Sequence, residues 1–283
     1  MITLSLIIAT ATKLAKSMIN SNIILLLIEK LIYIINLILY AWKLYLNIMT
    51  DDVSLSKREI HVALIPDGNR RWARKKNKPE WYGHYAGAKK MEDFLDWTLE
   101  HPEIKVVSIY GLSTENLKRS EKELSKLWDI YKRELEKIRS SKKIKNNKVR
   151  VNVIGEDNLW RTDVKHVART VMKTTENYTR SVLNILIAYG SHSEILSSIK
   201  KIVKVGVGAI PPLRDTFVNY LKINKPVDLI IRTGGQRRLS NFLLYQAAYS
   251  EIYFSDTLWP DFSKKEFEKI IRWFWTQERK FGR

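Results

Sequence analysis

An acid and a pair of arginines follow an apolar run early in the chain. Val62-Ala63-Leu64-Ile65 leads through Pro66 into Asp67-Gly68-Asn69, then Arg70, Arg71 and Trp72. A carboxylate binds hard metal ions, guanidinium groups grip phosphate oxygens, and glycine lets backbone come close to a ligand. Together they suit a phosphate bridged by a metal or held by arginine. The same Asp-Gly-Asn also makes an ordinary turn, and at this point both readings stand.

Further groups of this kind recur along the chain. Arg232 and Arg238 flank Gly234-Gly235, and Ser240 follows, where a helix is expected to begin. Guanidinium groups, turn amides and a helix N-terminus would make an anion site of diphosphate size. The alternative is an arginine-rich surface turn with Ser240 as a plain N-cap. Ser113, Thr114, Glu115, Asn116 and Arg119 form another polar cluster, and Tyr189-Gly190-Ser191-His192 a third. Glu251 stands alone before an apolar triplet, a place where a glutamate is usually solvated. No Gly-x-Ser-x-Gly elbow, Walker loop or dinucleotide glycine fingerprint is present, nor an Asp-Asp-x-x-Asp metal clamp.

These clusters gain meaning from the elements that precede them. Strands are expected at 60–65, 105–110, 149–154, 182–188, 228–231 and 252–254. Helices are expected at 84–100, 121–140, 161–178, 193–203, 213–221, 240–248 and 264–279. Alternating strands and helices predict an α/β fold: a mostly parallel central sheet of about six strands flanked by helices. Such sheets bind ligands beyond the carboxyl ends of their strands, and the polar clusters fall just there. The 206–212 segment, Gly-Val-Gly-Ala-Ile-Pro-Pro, reads as a loop and not as a phosphate cradle.

Length and composition narrow the rest. The 283 residues are enough for one large domain with an appendage. With no cysteine, disulfides and thiolate metal sites are excluded, and the five scattered histidines make structural zinc a poor fit. The net charge of +19 calls for a polyanionic partner: nucleic acid, anionic membrane or diphosphate. Residues 1–50 carry little of it, with four lysines and one glutamate. The basic run 137–150 reads most simply as a solvated helix end and loop, with headgroup or RNA contact as further readings. Residues 22–49 are dominated by Ile, Leu and Tyr, with Asn22, Glu29, Asn36 and Lys43 at sevenfold spacing. That pattern is a narrow polar stripe on a greasy helix, and membrane attachment fits it better than a cleaved signal peptide. Two regions follow: a hydrophobic, membrane-associating helix and hinge over 1–56, and the α/β domain over 57–283.

The motifs taken in order resemble the cis-prenyltransferases, the undecaprenyl and dehydrodolichyl diphosphate synthases. The carriers are His61 to Ala73, Gly83-His84-x-x-Gly87, Leu112 to Asn116, Arg232 to Gly235, Arg238 to Gln246, Glu251 to Phe254 and Trp259 to Phe262. The resemblance implies that Gly68, Asn69, Arg71, Trp72 and His84 hold an allylic primer, farnesyl or geranylgeranyl diphosphate. Arg119, Arg232, Arg238 and Ser240 would bind the diphosphates, with isopentenyl diphosphate on the last three. Asp67 and Glu251 would organise Mg²⁺. Asn69, Ser113 and Asn116 would work with Asp67 at the reacting centre. It further implies a long polyprenyl product for a glycosyl carrier lipid of the dolichol or undecaprenol type. A homodimer, lipid contact through the N-terminal helix and a catalytic domain on the cytoplasmic side also follow, with no nucleic acid partner.

The chain departs from the family pattern at Glu80, where many bacterial members have arginine, and at Leu117. It departs also at Tyr189 to His192 and at Gln236-Arg237. Two rivals are a non-catalytic partner subunit, which would lack Asp67 and the arginine motif, and an RNA-binding protein, which rests on charge alone.

Overall fold

The computed structural model describes residues 58–205 and 213–278, and Thr10. The helix expected within 1–56 and the loop 206–212 lie outside the described residues. The chain divides into two compact units, Met1–Arg58 and Glu59–Arg283, and the sheet belongs to the second. Its strands are β1 (Ile60–Ile65), β2 (Ile104–Ser113), β3 (Val149–Ile154), β4 (Ser181–Tyr189), β5 (Leu229–Arg232) and β6 (Glu251–Phe254). They lie in the order β3-β4-β2-β1-β5-β6, and every neighbouring pair is parallel.

All six residues of β1 are buried, as expected of a central strand covered on both faces. Its side chains alternate. Val62 and Leu64 enter a core shared with Phe94, Leu127, Val164 and Phe267. Ala63 and Ile65 face Ile223, Val227, Phe242 and Leu243 on the other side. The helices are α1 (Asn69–Lys75), α2 (Glu80–Leu99), α3 (Glu121–Ser140), α4 (Lys142–Asn146), α5 (Thr162–Thr175), α6 (Ser191–Val205), α7 (Leu213–Tyr220) and α8 (Lys264–Trp275). Short 3-10 turns occupy Glu115–Lys118, Asp157–Leu159 and Trp259–Asp261. Ser120 caps α3 by accepting from the Glu123 amide, and Ser263 caps α8 through Glu266.

The expected helix at 240–248 does not form; the chain runs through successive turns there. Ser240, Asn241 and Leu243 have φ of 51°, 63° and 45°, a region that no right-handed helix can include. Two helices were not anticipated. α1 follows immediately on Gly68, and α4 sits within the basic run, where Ile144 is buried. That run is therefore partly packed and not simply solvated.

Candidate active site

The chain leaves β1 toward β2 and β5 toward β6, in opposite directions from neighbouring strands. This is the switch point at which an open parallel sheet leaves a crevice. Asp67, just past β1, meets Arg232, the last residue of β5, across it: Nη2 to Oδ2 is 2.9 Å. Arg71 reaches the other oxygen of Asp67 at 3.2 Å. Gly68 makes the turn possible with φ of 109°, and a Cβ there would lie 2.8 Å from Leu258. The loop is tied down further by Asp67 O, which accepts from the Trp259 amide and the Thr233 hydroxyl.

Arg232 is buried, and its Nη1 donates to Ser240 Oγ at 2.9 Å and to the carbonyl of Arg238. Ser240 is thus brought to the site by Arg232 and not by a helix start. The amides of Gly234 and Gly235 donate to Thr257 and Ser255 carbonyls, so neither is free for an anion. The expected site of amides plus helix N-terminus is replaced by one built from side chains.

Asp67, Gly68, Asn69, Arg71, His84, Ser113, Asn116, Arg119, Arg232, Arg238 and Ser240 all line one cleft of about 960 Å³. Ser113 Oγ accepts from the Asn116 amide at 3.1 Å, fixing the start of the 3-10 turn after β2. Asn69 donates to Pro66 O, while its Oδ1 is buried with no hydrogen-bond partner among the described residues. α1 and α2 cross so tightly that a Cβ on Gly83 would lie 2.0 Å from Asn69 O, and one on Gly87 2.2 Å from Asn69 Oδ1. The spacing of those two glycines on one helix face serves this crossing.

His84 Nε2 lies 3.2 Å from Glu123 Oε1 and 3.3 Å from Arg119 Nη1. Burial holds the imidazole below its usual pKa, with the Arg119 charge assisting and Glu123 opposing. It is therefore a neutral donor or acceptor near pH 7. Burial also pushes the Tyr110 and Tyr131 phenols up; they donate to Ser240 O and to Gly111 O.

Two expected site residues are not part of the cleft. Trp72 stacks on Tyr82 at 6.2 Å and donates to Asp261 Oδ1 at 2.7 Å, fastening α1 to the C-terminal 3-10 turn. Glu251 begins β6 at the amino edge of the sheet: it pairs with Leu229, whereas Ile65 pairs with Arg232. Three residues of strand, about 10 Å, separate those levels, and Asp67 stands beyond the farther one. Within one chain Asp67 and Glu251 cannot share a metal ion.

Among the described residues no three His, Asp or Glu side chains cluster as a metal cage. Asp67 still suits a hard cation. Its side chain is 30% exposed at the cleft, and its two ion pairs leave part of its capacity to accept. Mg²⁺ is commonly held by one or two carboxylates, with substrate phosphates and water completing the shell.

Residues that sequence reasoning passes over are Arg74 and Glu123, and it gives Arg70 no role beyond its pairing with Arg71. Arg70 and Arg74 line the same cleft, and their spacing of four on a helix was the available signal. Behind this cationic mouth the cleft turns apolar. It runs between α2 and α3 against the sheet, past Met91, Leu95, Ile130, Ile138 and Leu183. A charged head and a long apolar tail would each find matching walls.

A sequence profile described as undecaprenyl diphosphate synthase matches residues 65–282. A tritrans,polycis-undecaprenyl-diphosphate synthase (geranylgeranyl-diphosphate specific) from Pyrococcus abyssi is 42% identical over 249 residues, covering 86% of this chain and 94% of the relative. One from Methanocaldococcus jannaschii is 38% identical over 249 residues, covering 85% and 89%. The crystal structure of a probable undecaprenyl diphosphate synthase from Campylobacter jejuni superposes with a TM-score of 0.68 at 31% identity, over 80% of this chain and 99% of that one. Lavandulyl diphosphate synthase from Lavandula x intermedia, in complex with dimethylallyl diphosphate, gives 0.69 at 27% identity, over 79% and 98%.

Proposed function

The chain belongs to the undecaprenyl diphosphate synthase family of cis-prenyltransferases, and from that premise we propose how its cleft works. The protein is a prenyl transferase that adds isopentenyl diphosphate units, in Z configuration, to an allylic diphosphate and so makes a long polyprenyl diphosphate. The observation that carries the mechanism is Asp67 held between Arg71 and Arg232 at the mouth of an apolar cavity.

Asp67 and diphosphate oxygens would hold Mg²⁺, which when bound stabilises charge on the departing pyrophosphate. Arg71 and neutral His84 bind and orient the primer diphosphate, and Asn69 bounds the reacting region beside them. Arg232, Arg238 and the Ser240 hydroxyl bind isopentenyl diphosphate. The isopentenyl double bond attacks the allylic carbon as the C–O bond breaks, and loss of one proton leaves the new Z double bond. Ser113 and Asn116, fixed by their mutual hydrogen bonds, position the isopentenyl unit. Fixed guanidinium groups aimed at the leaving group act as preorganised electrostatic catalysis. The convergence of Asp67, Arg232 and Arg238 argues against a non-catalytic partner subunit.

Several finer properties belong to the same proposal. Geranylgeranyl diphosphate is the primer favoured by likeness to the archaeal relatives. Attachment to a membrane on its cytoplasmic side, through residues 1–56, is supported by their composition alone. A homodimer is supported by Leu196, Ile199 and Val203, exposed on one stripe of α6. The product would feed a glycosyl carrier lipid. The test incubates full-length protein with Mg²⁺, labelled isopentenyl diphosphate and a fifteen- or twenty-carbon primer, in detergent or lipid. Elongated product is expected, more from the twenty-carbon primer; no product from folded protein with either primer would sink the reading.

A further inference from the structure

Glu80, one of the positions at which the sequence departs from the resembled pattern, stands at the start of α2. It does not line the cleft, yet it holds two arginines that do. Arg70 approaches Glu80 Oε2 through Nε and Nη2, each at 2.5 Å. Arg74 Nε lies 3.7 Å from Oε1. Neither arginine makes an ion pair with Asp67, which is satisfied by Arg71 and Arg232. The two therefore add positive charge to the cleft beyond the Asp67 cluster, and Glu80 is the carboxylate paired to both. Glu123, 3.8 Å from Arg70 Nε, is the only other carboxylate paired to them among the described residues, and it is already engaged by Arg119 and His84.

A carboxylate oxygen shared by two nitrogens of one guanidinium occupies donors that a phosphate would use. We propose that Glu80 is an internal competitor for diphosphate, a positioning residue that holds Arg70 and Arg74 until the primer arrives and reclaims them as pyrophosphate leaves. The inference rests on the proposed site at Asp67 and adds a release function to it. The pair is partly exposed, with side chains 44% and 30% accessible, so exchange with an incoming anion needs no opening of the fold. A purely structural role is the rival: an acid in the first turn favours the helix dipole, and its loss would lower stability with no effect on anions.

Full-length Glu80→Gln is compared with wild type and with the charge-conserving Glu80→Asp. Inorganic pyrophosphate binding is measured by calorimetry, and KM and kcat for the allylic diphosphate by initial rates. For Glu80→Gln, pyrophosphate is expected to bind about 3-fold more tightly, the factor one exposed ion pair is worth. KM should fall by a similar factor, kcat should fall with slower pyrophosphate release, and Glu80→Asp should restore most of both. Unchanged or weaker pyrophosphate binding in Glu80→Gln overturns the proposal while leaving the site intact. If pyrophosphate binds to neither protein, the diphosphate site itself fails.

Discussion

At the scale of single residues, the two guanidinium groups on Asp67 are unequal. Arg232 has only 4% of its side chain exposed, whereas Arg71 has 37%. The buried one is fixed by Ser240 and the Arg238 carbonyl, so it sets the geometry, and Arg71 is free to follow a ligand. Asp67→Asn keeps the shape but removes the charge. It should lower kcat by about 10²–10³-fold, as loss of one preorganised electrostatic contact does elsewhere. Stability should fall by about 1–3 kcal/mol because Arg232 is left without its counter-charge. Rates and denaturant unfolding measured on the same sample separate the two effects. If turnover survives unchanged, Asp67 does not hold the metal.

At the scale of elements, the α1–α2 crossing is the tightest contact beside the site. Gly87→Ala would place a methyl group 2.2 Å from Asn69 Oδ1 and 2.9 Å from Trp259. Overpacking of this kind costs about 1–3 kcal/mol, and here it also shifts Asn69. Tm and kcat should fall together, whereas an ordinary helix surface would welcome the alanine. Within the sheet, His61, Ser108, Asn184 and Asn152 form a hydrogen-bonded row across β1, β2, β4 and β3. Burial lowers the His61 pKa to about 4. The unfolded chain takes up that proton near pH 6.5, before the folded one does. Stability is therefore full above pH 6.5, falls by about 3 kcal/mol down to pH 4, and loses nothing further from this group below it. Denaturant unfolding against pH should show that limb in wild type and a flatter one in His61→Gln; equal slopes would remove His61 as the cause.

The sheet was legible because its central strand is a nearly continuous buried apolar run and its edge strand alternates apolar with polar residues; 60–65 and 149–154 match β1 and β3 to the residue. The 240–248 stretch misled because Phe-Leu-Leu-Tyr-Gln-Ala-Ala after a serine satisfies every local rule for a helix. Tertiary demands override it. Phe242 and Leu243 must both enter the second core, Asn241 must reach His192 and Glu115, and Gln246 must reach the buried Glu194. Most site residues were legible because they sit just past strands. Glu251 lies away from the cleft for a different reason: it is the first residue of its strand, and adjacency to a motif in sequence says nothing of which sheet edge it reaches. Trp72 lies outside the cleft lining because an indole has two uses, and its N–H found Asp261.

At the scale of the whole molecule, function depends on a cationic mouth and an apolar cavity sharing one volume. The charged end answers to ionic strength, so KM for either diphosphate should rise with salt. The apolar end sets how much tail can be held. Leu95 lines it from α2 and packs against the core only partly buried. Leu95→Phe should shift products to shorter chains by one or more five-carbon units, read by chromatography of the dephosphorylated lipids. An unchanged length distribution would place the tail elsewhere.

The loop that bears Asp67 is closed by residues made much later. Trp259 donates to Asp67 O and to Gly87 O, the latter across 172 residues of chain, and Arg232 reaches Asp67 across 165. A ribosome that has delivered β1, both flanking helices and most of the sheet has still delivered no site. The nascent chain therefore lacks the counter-charge and the closing contacts of Asp67 until Arg232 and Trp259 have emerged.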